Sequence, residues 1–306
     1  MRAIIVGAVE STRVALEALA AAPDWQVDAL ITLPRTLAAR HSDFVDLEPF
    51  AAAAGARMIE AADSNAPDVV AAVREAAPDM VFVIGWSQIC KAPFLDAALG
   101  NVVGYHPAPL PQLRGRAVIP WTILLGHTIT ASTLFWVDGG LDSGPILAQR
   151  FLHVAPDETA AALYDRHILA LRDLLDENLP KIATGRAPCT PQDDRYASWA
   201  ARRTADDGRI DWQRGAEDIW RLIRAVGKPY PGAFTFTSVG KLVLWQADLW
   251  DCSRHPGALP GQVLLRAEHG FGVCCGDGRG IWVSDWQSES GRPPALHRIL
   301  GQGGLR

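Results

Sequence analysis

Residues 104–149 read GYHPAPLPQLRGRAVIPWTILLGHTITASTLFWVDGGLDSGPILAQ, and the stretch begins within a short apolar run at 102–105. That run predicts a buried β-strand, and His106 stands at its carboxyl end. In open parallel sheets, ligands bind where the carboxyl ends of strands meet the following loops. His106 is therefore the first candidate for a functional residue.

The chain before this stretch alternates between strand-like and helix-like patterns. Short apolar runs indicate strands, and apolar residues at helical spacing indicate helices. The predicted strands are 3–6, 27–32 and 80–84, and the predicted helices are 12–22, 47–54 and 68–77. This alternation predicts an α/β fold with a doubly wound, mostly parallel, Rossmann-like sheet.

The chain after this stretch changes in character. Residues 157–179 have helical periodicity, and residues 185–199 are rich in proline and polar side chains. Short apolar runs separated by Gly or Pro then predict strands at 210–212, 234–236, 242–245, 262–265, 271–275 and 281–283. We therefore predict a catalytic domain at 1–184, a linker at 185–203 and a smaller β-rich domain at 204–306.

Length and charge limit the class of protein. The chain has 306 residues and a net charge of −5, so it can form two modest domains and has no global positive field for nucleic acid. Its N-terminal apolar run is too short for a signal peptide, and no segment approaches the roughly 20 apolar residues of a membrane span. We expect a cytoplasmic protein that binds neither nucleic acid nor membrane.

Cysteine usage indicates reduced structural thiols. The cysteines are Cys90, Cys189, Cys252, Cys274 and Cys275. Their number is odd and no C-x-x-C pair occurs, so the sequence suggests neither a disulfide framework nor a zinc site. We expect no metal.

The opening stretch contains a series of short motifs in a fixed order. They are His106-Pro107, Leu110-Pro111, Arg114-Gly115, Pro120 with Trp121, Gly126, Thr130, Thr133, and Asp142-Ser143-Gly144-Pro145-Ile146 with Gln149. This order resembles the signature of the folate-dependent formyltransferases, the family of methionyl-tRNA formyltransferase. In the C-terminal half, motifs such as PYPGAF at 229–234 look most like the sugar N-formyltransferases that act on aminoarabinose. The resemblance implies that the C-terminal domain is OB-like.

His106 and Asp142 match the family's catalytic histidine and aspartate. The resemblance implies transfer of a formyl group from N10-formyltetrahydrofolate to an amine. Such a transfer needs the incoming amine to lose a proton and the leaving nitrogen to gain one. A histidine oriented by a carboxylate can carry both protons, because imidazole titrates near neutrality.

Gly104 stands where the family has its catalytic asparagine. The family asparagine donates a hydrogen bond to the formyl oxygen, and losing one such donor costs roughly 10²–10³ in rate. A glycine has no side-chain donor and is expected to leave room beside His106. An ordered water, Gln88 or protonated His106 could supply the hydrogen bond instead.

The resemblance also implies two folate-binding loops and a substrate-binding group. The loops contain Gln88, Ile89 and Cys90, and Val137, Asp138, Gly139, Gly140 and Leu141. The expected substrate-binding residues are Ser11, Gly104, Arg114 and Gly115. The residue types in both loops can vary if the loops bind folate mainly through their main chain.

Three functions remain open from the sequence. The first is N-formylation of a small-molecule amine, with a nucleotide-linked amino sugar as the favoured acceptor. The second is formylation of methionyl-tRNA, which the low positive charge disfavours. The third is a folate-binding module impaired in catalysis by Gly104. A homodimer is compatible with each.

Overall fold

The computed structural model describes residues 1–301 and contains two compact units. Unit 1 comprises Met1–Val118, Thr128–Val154 and Tyr164–Arg202, and unit 2 comprises Ile119–His127, Ala155–Leu163 and Arg203–Arg306. Within residues 1–301, no helix is long and apolar enough to cross a membrane. The domain boundaries expected from the sequence stay a prediction.

Unit 1 is built on a seven-stranded sheet. The first nine strands of the chain are β1 (Arg2–Val6), β2 (Gln26–Thr32), β3 (Arg57–Glu60), β4 (Met80–Val83), β5 (Val102–His106), β6 (Arg114–Gly115), β7 (Ile129–Trp136), β8 (Ile146–His153) and β9 (Trp199–Ala200). The order across the sheet is β3-β2-β1-β4-β5-β7-β8. Strands β1 to β5 pair in parallel, whereas β7 is antiparallel to both β5 and β8. The mostly parallel α/β sheet is confirmed.

Helices cover both faces of this sheet. The helices of the chain are α1 (Glu10–Ala21), α2 (Glu48–Ala53), α3 (Pro67–Ala76), α4 (Ala92–Ala97), α5 (Val118–Leu124), α6 (Ala160–Ala183) and α7 (Ala216–Val226). On one face, Leu16 of α1 and Leu175 of α6 belong to the same core cluster as Phe82. On the other face, Val73 of α3 and Phe94 of α4 cluster with Val81.

The local sequence explains these elements. Every residue of β4 is buried or nearly so, as its uninterrupted apolar run requires in a sheet covered on both sides. Helix α3 begins at Pro67, where a missing amide hydrogen costs nothing, and it buries Val69, Val70 and Val73 on one stripe.

Strand β5 lies where the sheet changes direction. It pairs in parallel with β4 on one side and antiparallel with β7 on the other. Its alternate residues Val102, Gly104 and His106 point to the same face, toward the side of α3 and α4. His106 ends the strand on that face.

Unit 2 contains a five-stranded antiparallel sheet. The strands are β10 (Ala233–Thr237), β11 (Gly240–Trp250), β12 (Val263–Ala267), β13 (Gly270–Cys274) and β14 (Gly280–Ser288), and their order across the sheet is β10-β11-β14-β13-β12. The predicted β-rich C-terminal domain is confirmed.

The strand expected at 210–212 is wrong. Only the neighbouring Arg209 forms an isolated bridge, with Phe234. Asp211 turns the chain instead, because its side chain accepts from the amide of Gln213 at 3.0 Å and its carbonyl accepts from Arg214 at 3.1 Å. The apolar character of the run reflects burial of Trp212, whose indole donates to Thr235 at 3.0 Å.

Candidate active site

His106 is buried at the end of β5 and is held in one tautomer. Its Nε2 lies 2.7 Å from the carbonyl oxygen of Leu113, which can only accept, so Nε2 carries the hydrogen. In the neutral imidazole, Nδ1 is therefore the unprotonated nitrogen. The free lone pair of His106 is on Nδ1.

Asp142 faces this nitrogen. Its Oδ2 lies 3.7 Å from Nδ1 of His106 and accepts a 2.8 Å hydrogen bond from the amide of Gly115. The carboxylate side chain is 20% exposed, so it is reachable from solvent while the imidazole is almost wholly buried. The fold brings together two residues that are distant in sequence.

The backbone around this pair is unusual. Leu113 and Asp142 have φ values of 57° and 50°, in the left-handed region that L residues rarely adopt. Such conformations persist only where surrounding contacts enforce them, and they cluster at functional sites. Here they aim the Leu113 carbonyl at His106 and place the Asp142 carboxylate beside it.

Two polar side chains from the neighbouring strands hold the loop that follows His106. Thr133 of β7 donates to the carbonyl of Ala108 at 2.7 Å. Gln149 of β8 donates to the carbonyl of Leu110 at 3.1 Å and to Thr133 at 2.8 Å. These contacts give a physical role to the Thr and Gln of the sequence motifs.

The space beside Gly104 is filled, contrary to the expectation of free room. A Cβ at residue 104 would lie 2.7 Å from the ring of Phe135 and 2.9 Å from a methyl of Val137. Phe135 sits directly opposite Gly104 in the β5 and β7 pairing. The glycine therefore makes room for an aromatic ring rather than for substrate or water at that point.

Arg114 is buried, with a side chain only 4% exposed. Its guanidinium donates to Gln192 at 2.8 Å and to Asp194 at 2.7 Å. Gln192 in turn donates to the carbonyls of Asp142 at 2.8 Å and Gly144 at 2.7 Å. The expected contact of Arg114 with substrate stays a prediction, and the geometry assigns Arg114 to supporting the Asp142 loop.

Gln192 was not found from the sequence. It lies in the predicted linker, at a position that belongs to unit 1, and it contacts the site directly. Nothing in the local composition of that stretch distinguishes a supporting glutamine from a linker residue.

The loop that contains Gln88, Ile89 and Cys90, predicted to bind folate, is hydrogen-bonded to residues 62–65. Gln88 donates to the carbonyl of Ala62 at 2.7 Å, and Asn65 donates to the carbonyl of Ile89 at 3.0 Å. Ile89 is 52% exposed, whereas Cys90 is buried, and burial raises the pKa of the Cys90 thiol to about 11. The loop presents main chain and one apolar side chain.

The second predicted folate-binding loop, residues 137–141, is stabilised by local hydrogen bonds. Asp138 accepts from the amide of Gly140 at 2.9 Å and from the Ser143 hydroxyl at 2.9 Å. Val137 donates to the carbonyl of Val102, which ties the loop to β5. Gly139 and Leu141 lie at the exposed side of the loop.

Ser11 lies in the first turn of α1, against a third loop. A Cβ at Gly85 would lie 2.8 Å from the Ser11 hydroxyl. Thr12 beside it donates to the carbonyl of Ile84 at 2.7 Å, so the start of α1 is fixed to the end of β4. Within residues 1–301, Ser11 forms no hydrogen bond with His106 or Asp142, and its expected contact with substrate stays a prediction.

A buried polar network lies on the opposite face of the sheet. The Ser132 hydroxyl is 2.8 Å from Nδ1 of His167 and 3.0 Å from the hydroxyl of Tyr105. Burial, followed by electrostatic interaction with His106 and Arg166, lowers the pKa of His167 to about 3. His167 is therefore a neutral structural histidine at physiological pH.

Among residues 1–301, no group of three or more His, Cys, Asp or Glu side chains is arranged to hold a metal ion. The site is thus composed of His106, Asp142, the Gly115 amide and the side chains that support them. The arrangement can accept a proton at Nδ1 and stabilise the resulting positive charge.

Comparison with known proteins identifies the family. A formyl transferase family model matches residues 10–175, and the model of the formyl transferase C-terminal domain matches residues 202–301. The chain is also 29% identical over 294 residues to methionyl-tRNA formyltransferase of Ruminiclostridium cellulolyticum, covering 95% of this chain and 93% of that protein.

Solved structures with the same fold include two sugar N-formyltransferases. WlaRD, a sugar 3N-formyl transferase solved with dTDP and 5-N-formyl-THF, has 17% identity and a TM-score of 0.67, with 93% of this chain and 97% of that chain covered. The N-formyltransferase of Helicobacter canadensis, in complex with folinic acid and dTDP-3-aminofucose, has 19% identity and a TM-score of 0.67, with 92% and 98% covered. At these identities the likeness concerns the fold.

The first family model spans more than half of the chain, and the matched residues include His106 and Asp142. The chain therefore belongs to the formyl transferase family, and the resemblance to its folate-dependent members is confirmed.

Proposed function

We propose that this protein transfers the formyl group of N10-formyltetrahydrofolate to the primary amine of a small molecule, a nucleotide-linked amino sugar. The observation that carries the proposal is the pairing of His106 and Asp142 at the carboxyl end of β5. Nδ1 of His106 is free to accept a proton, because Nε2 donates to Leu113.

In this proposal, His106 takes a proton from the incoming amine at Nδ1. The Asp142 carboxylate, 3.7 Å away, stabilises the imidazolium that forms, and the Gly115 amide keeps that carboxylate in place. His106 then returns the proton to the leaving nitrogen. General acid and base catalysis of this kind contributes roughly 10²–10⁴ in rate.

The hydrogen-bond donor to the formyl oxygen must come from a residue other than Gly104. Phe135 and Val137 fill the space beside Gly104, and Gln88 donates to the carbonyl of Ala62. Protonated His106 is therefore assigned the hydrogen bond to the formyl oxygen. Because a family side-chain donor is missing, we expect turnover to be slower by roughly 10²–10³ than with that donor present.

The folate supplies the formyl group on a nitrogen that leaves readily once it is protonated. The loops with Gln88, Ile89 and Cys90 and with residues 137–141 fit an aromatic pterin. Both offer main-chain groups, and each exposes an apolar side chain, Ile89 at 52% and Leu141 at 41%. Rings of this kind bind through a combination of apolar contact and a few fixed polar groups.

The amino sugar acceptor is supported by the two sugar N-formyltransferases of the same fold, whose structures contain dTDP and dTDP-3-aminofucose. Methionyl-tRNA is the second candidate acceptor, because the curated relative described above is a methionyl-tRNA formyltransferase. The net charge of −5 favours the first candidate, since tRNA binding depends on contacts between basic side chains and phosphates.

The experiment is to incubate the protein with N10-formyltetrahydrofolate and a panel of dTDP- and UDP-linked amino sugars, and to detect formylated product by mass spectrometry. Wild type should form product, whereas His106→Ala and Asp142→Asn should lower kcat by roughly 10²–10⁴. His269→Ala, at a side chain that is 88% exposed, is the matched control.

Two results would replace this proposal. Formylation of aminoacylated initiator tRNA, together with tight and salt-sensitive tRNA binding, would establish the second candidate. Folate binding without turnover of any amine would identify the protein as a folate-binding module. Product formation that is undiminished in His106→Ala would show that the assigned chemistry is wrong.

A further inference from the structure

A short strand pair brings two arginines to the edge of the candidate site. Strands β6 and β9 run parallel, with Arg114 beside Trp199 and Gly115 beside Ala200. Arg116 is the residue after β6, and Arg202 is the second residue after β9. Because the two strands are parallel, both arginines leave the pair at the same end. Arg116 directly follows the residue whose amide binds Asp142.

These two arginines lack counter-charges. Elsewhere in unit 1, Arg114 pairs with Asp194, and Arg150 pairs with Asp173 and Glu177. Among residues 1–301, the side chains of Arg116 and Arg202 have no hydrogen bond or ion pair. Partial burial and then the positive charge of Arg202 lower the pKa of Arg116. The fold therefore holds two like charges near each other without neutralising them.

A further basic residue, His41, lies close enough to Arg116 for the two to interact electrostatically. His41 is 3.2 Å from the Ser87 hydroxyl, and its pKa is lowered by burial and by the charges of Arg116 and Arg40. The acidic group nearby is Asp43, which accepts a 2.7 Å hydrogen bond from Tyr164. The lowered pKa leaves His41 neutral at pH 7, so on a protein of net charge −5 the local positive charge comes from the arginines.

We propose that Arg116 and Arg202 bind the phosphate groups of the acceptor. Two guanidinium groups held together without carboxylates repel each other, and an anion of high charge density relieves that repulsion. The planar guanidinium can donate two parallel hydrogen bonds to phosphate oxygens. This inference rests on the proposed function, because it requires the acceptor amine to reach His106 while its phosphates lie at Arg116.

The test measures binding of dTDP, UDP and inorganic pyrophosphate by titration calorimetry, with no folate or amine present. Wild type should bind at least one of these probes, with an affinity that falls as NaCl is raised. Arg116→Gln and Arg202→Gln should each weaken binding by roughly tenfold or more. Arg74→Gln, at an exposed arginine near the end of α3, is the matched control and should bind as wild type does.

Two outcomes would overturn the inference. In the first, wild type binds none of the three probes. In the second, both arginine variants have the Kd and the Tm of wild type. A rise in KM for the formyl donor, with dTDP binding intact, would instead assign the arginines to the glutamate carboxylates of folate.

The two proposals fail separately. His106→Ala should bind dTDP with the affinity of wild type, because it removes no phosphate contact. If the probes bind through Arg116 and Arg202 and no amine is formylated, the phosphate site stands and the proposed function falls. If amino sugars are formylated equally well with and without their nucleotide, the function stands and the phosphate site falls.

Discussion

The ring of Phe135 occupies the position toward which any side chain of residue 104 would point. The two residues are opposite each other in neighbouring strands, and a Cβ on Gly104 would be 2.7 Å from the ring. The absence of an asparagine at residue 104 is therefore coupled to the identity of residue 135. A change at one of these two positions must therefore be judged together with the other.

Replacing Gly104 with Asn should destabilise the protein without restoring a catalytic donor. The new side chain overlaps Phe135 and Val137, and overpacking of this kind costs about 1–3 kcal/mol. Phe135→Ala itself removes a buried ring, so Gly104→Asn combined with Phe135→Ala should lose less stability than the sum of the two single changes, and should raise kcat above that of Phe135→Ala alone. Urea unfolding and the formylation assay measure both effects. A single Gly104→Asn variant as stable as wild type would show that the two side chains do not compete.

Gln192→Glu should misplace Asp142. The amide nitrogen of Gln192 donates to the carbonyls of Asp142 and Gly144, and a carboxylate cannot. Unsatisfied buried carbonyls cost about 1–3 kcal/mol, and displacement of a catalytic group by about 1 Å can lower kcat by roughly a hundredfold.

The control for this substitution is Gln287→Glu, at an exposed position in unit 2. The KM for the formyl donor should stay near that of wild type, because the change acts on the proton carrier. Equal kcat values for Gln192→Glu and wild type would remove Gln192 from the supporting network.

His167 should make the protein less stable in mild acid. Its pKa is lowered by burial from 6.5 to about 3, so below pH 6.5 the unfolded chain binds a proton that the folded chain does not. This contribution to stability is complete above about pH 6.5, and it falls by up to about 1.4 kcal/mol for each pH unit below that. Urea unfolding at pH 7, 6 and 5 measures the slope.

His167→Phe should flatten that slope, because the new side chain does not titrate. His269→Phe, at a fully hydrated position, should leave it unchanged. The same slope in His167→Phe and wild type would mean that other groups cause the acid sensitivity.

One cysteine should react quickly with a thiol reagent. Cys189 is exposed, whereas Cys90, Cys252, Cys274 and Cys275 are buried. Burial raises the pKa of Cys90 and Cys274 to about 11 and that of Cys275 to about 12. These cysteines therefore stay protonated at pH 8, and a protonated thiol is a much poorer nucleophile than a thiolate. Reaction with an aromatic disulfide at pH 8 should show one fast phase. Its persistence in Cys189→Ser would contradict the burial of the other four.

The parallel sheet and the pairing of His106 with Asp142 were both accessible from the sequence. Strand periodicity is a local property, and the motif order carries the distance between the two residues. Phe135 and Gln192 were not accessible, because their roles depend on strand register and on the path of residues 185–203. The strand predicted at 210–212 is wrong because an apolar run indicates burial, here of Trp212, whether or not the backbone is extended.

The loop of residues 137–144 has a fixed base and a free tip. A Cβ at Gly144 would lie 1.7 Å from the carbonyl oxygen of Trp136, whereas one at Gly139 would meet no atom of the described residues within 4 Å. A cysteine introduced at residue 139 could therefore carry a fluorescent dye without disturbing the base of the loop. In the proposed function this loop binds folate, so position 139 offers a place for an optical sensor of folate binding that works whether or not the acceptor is known.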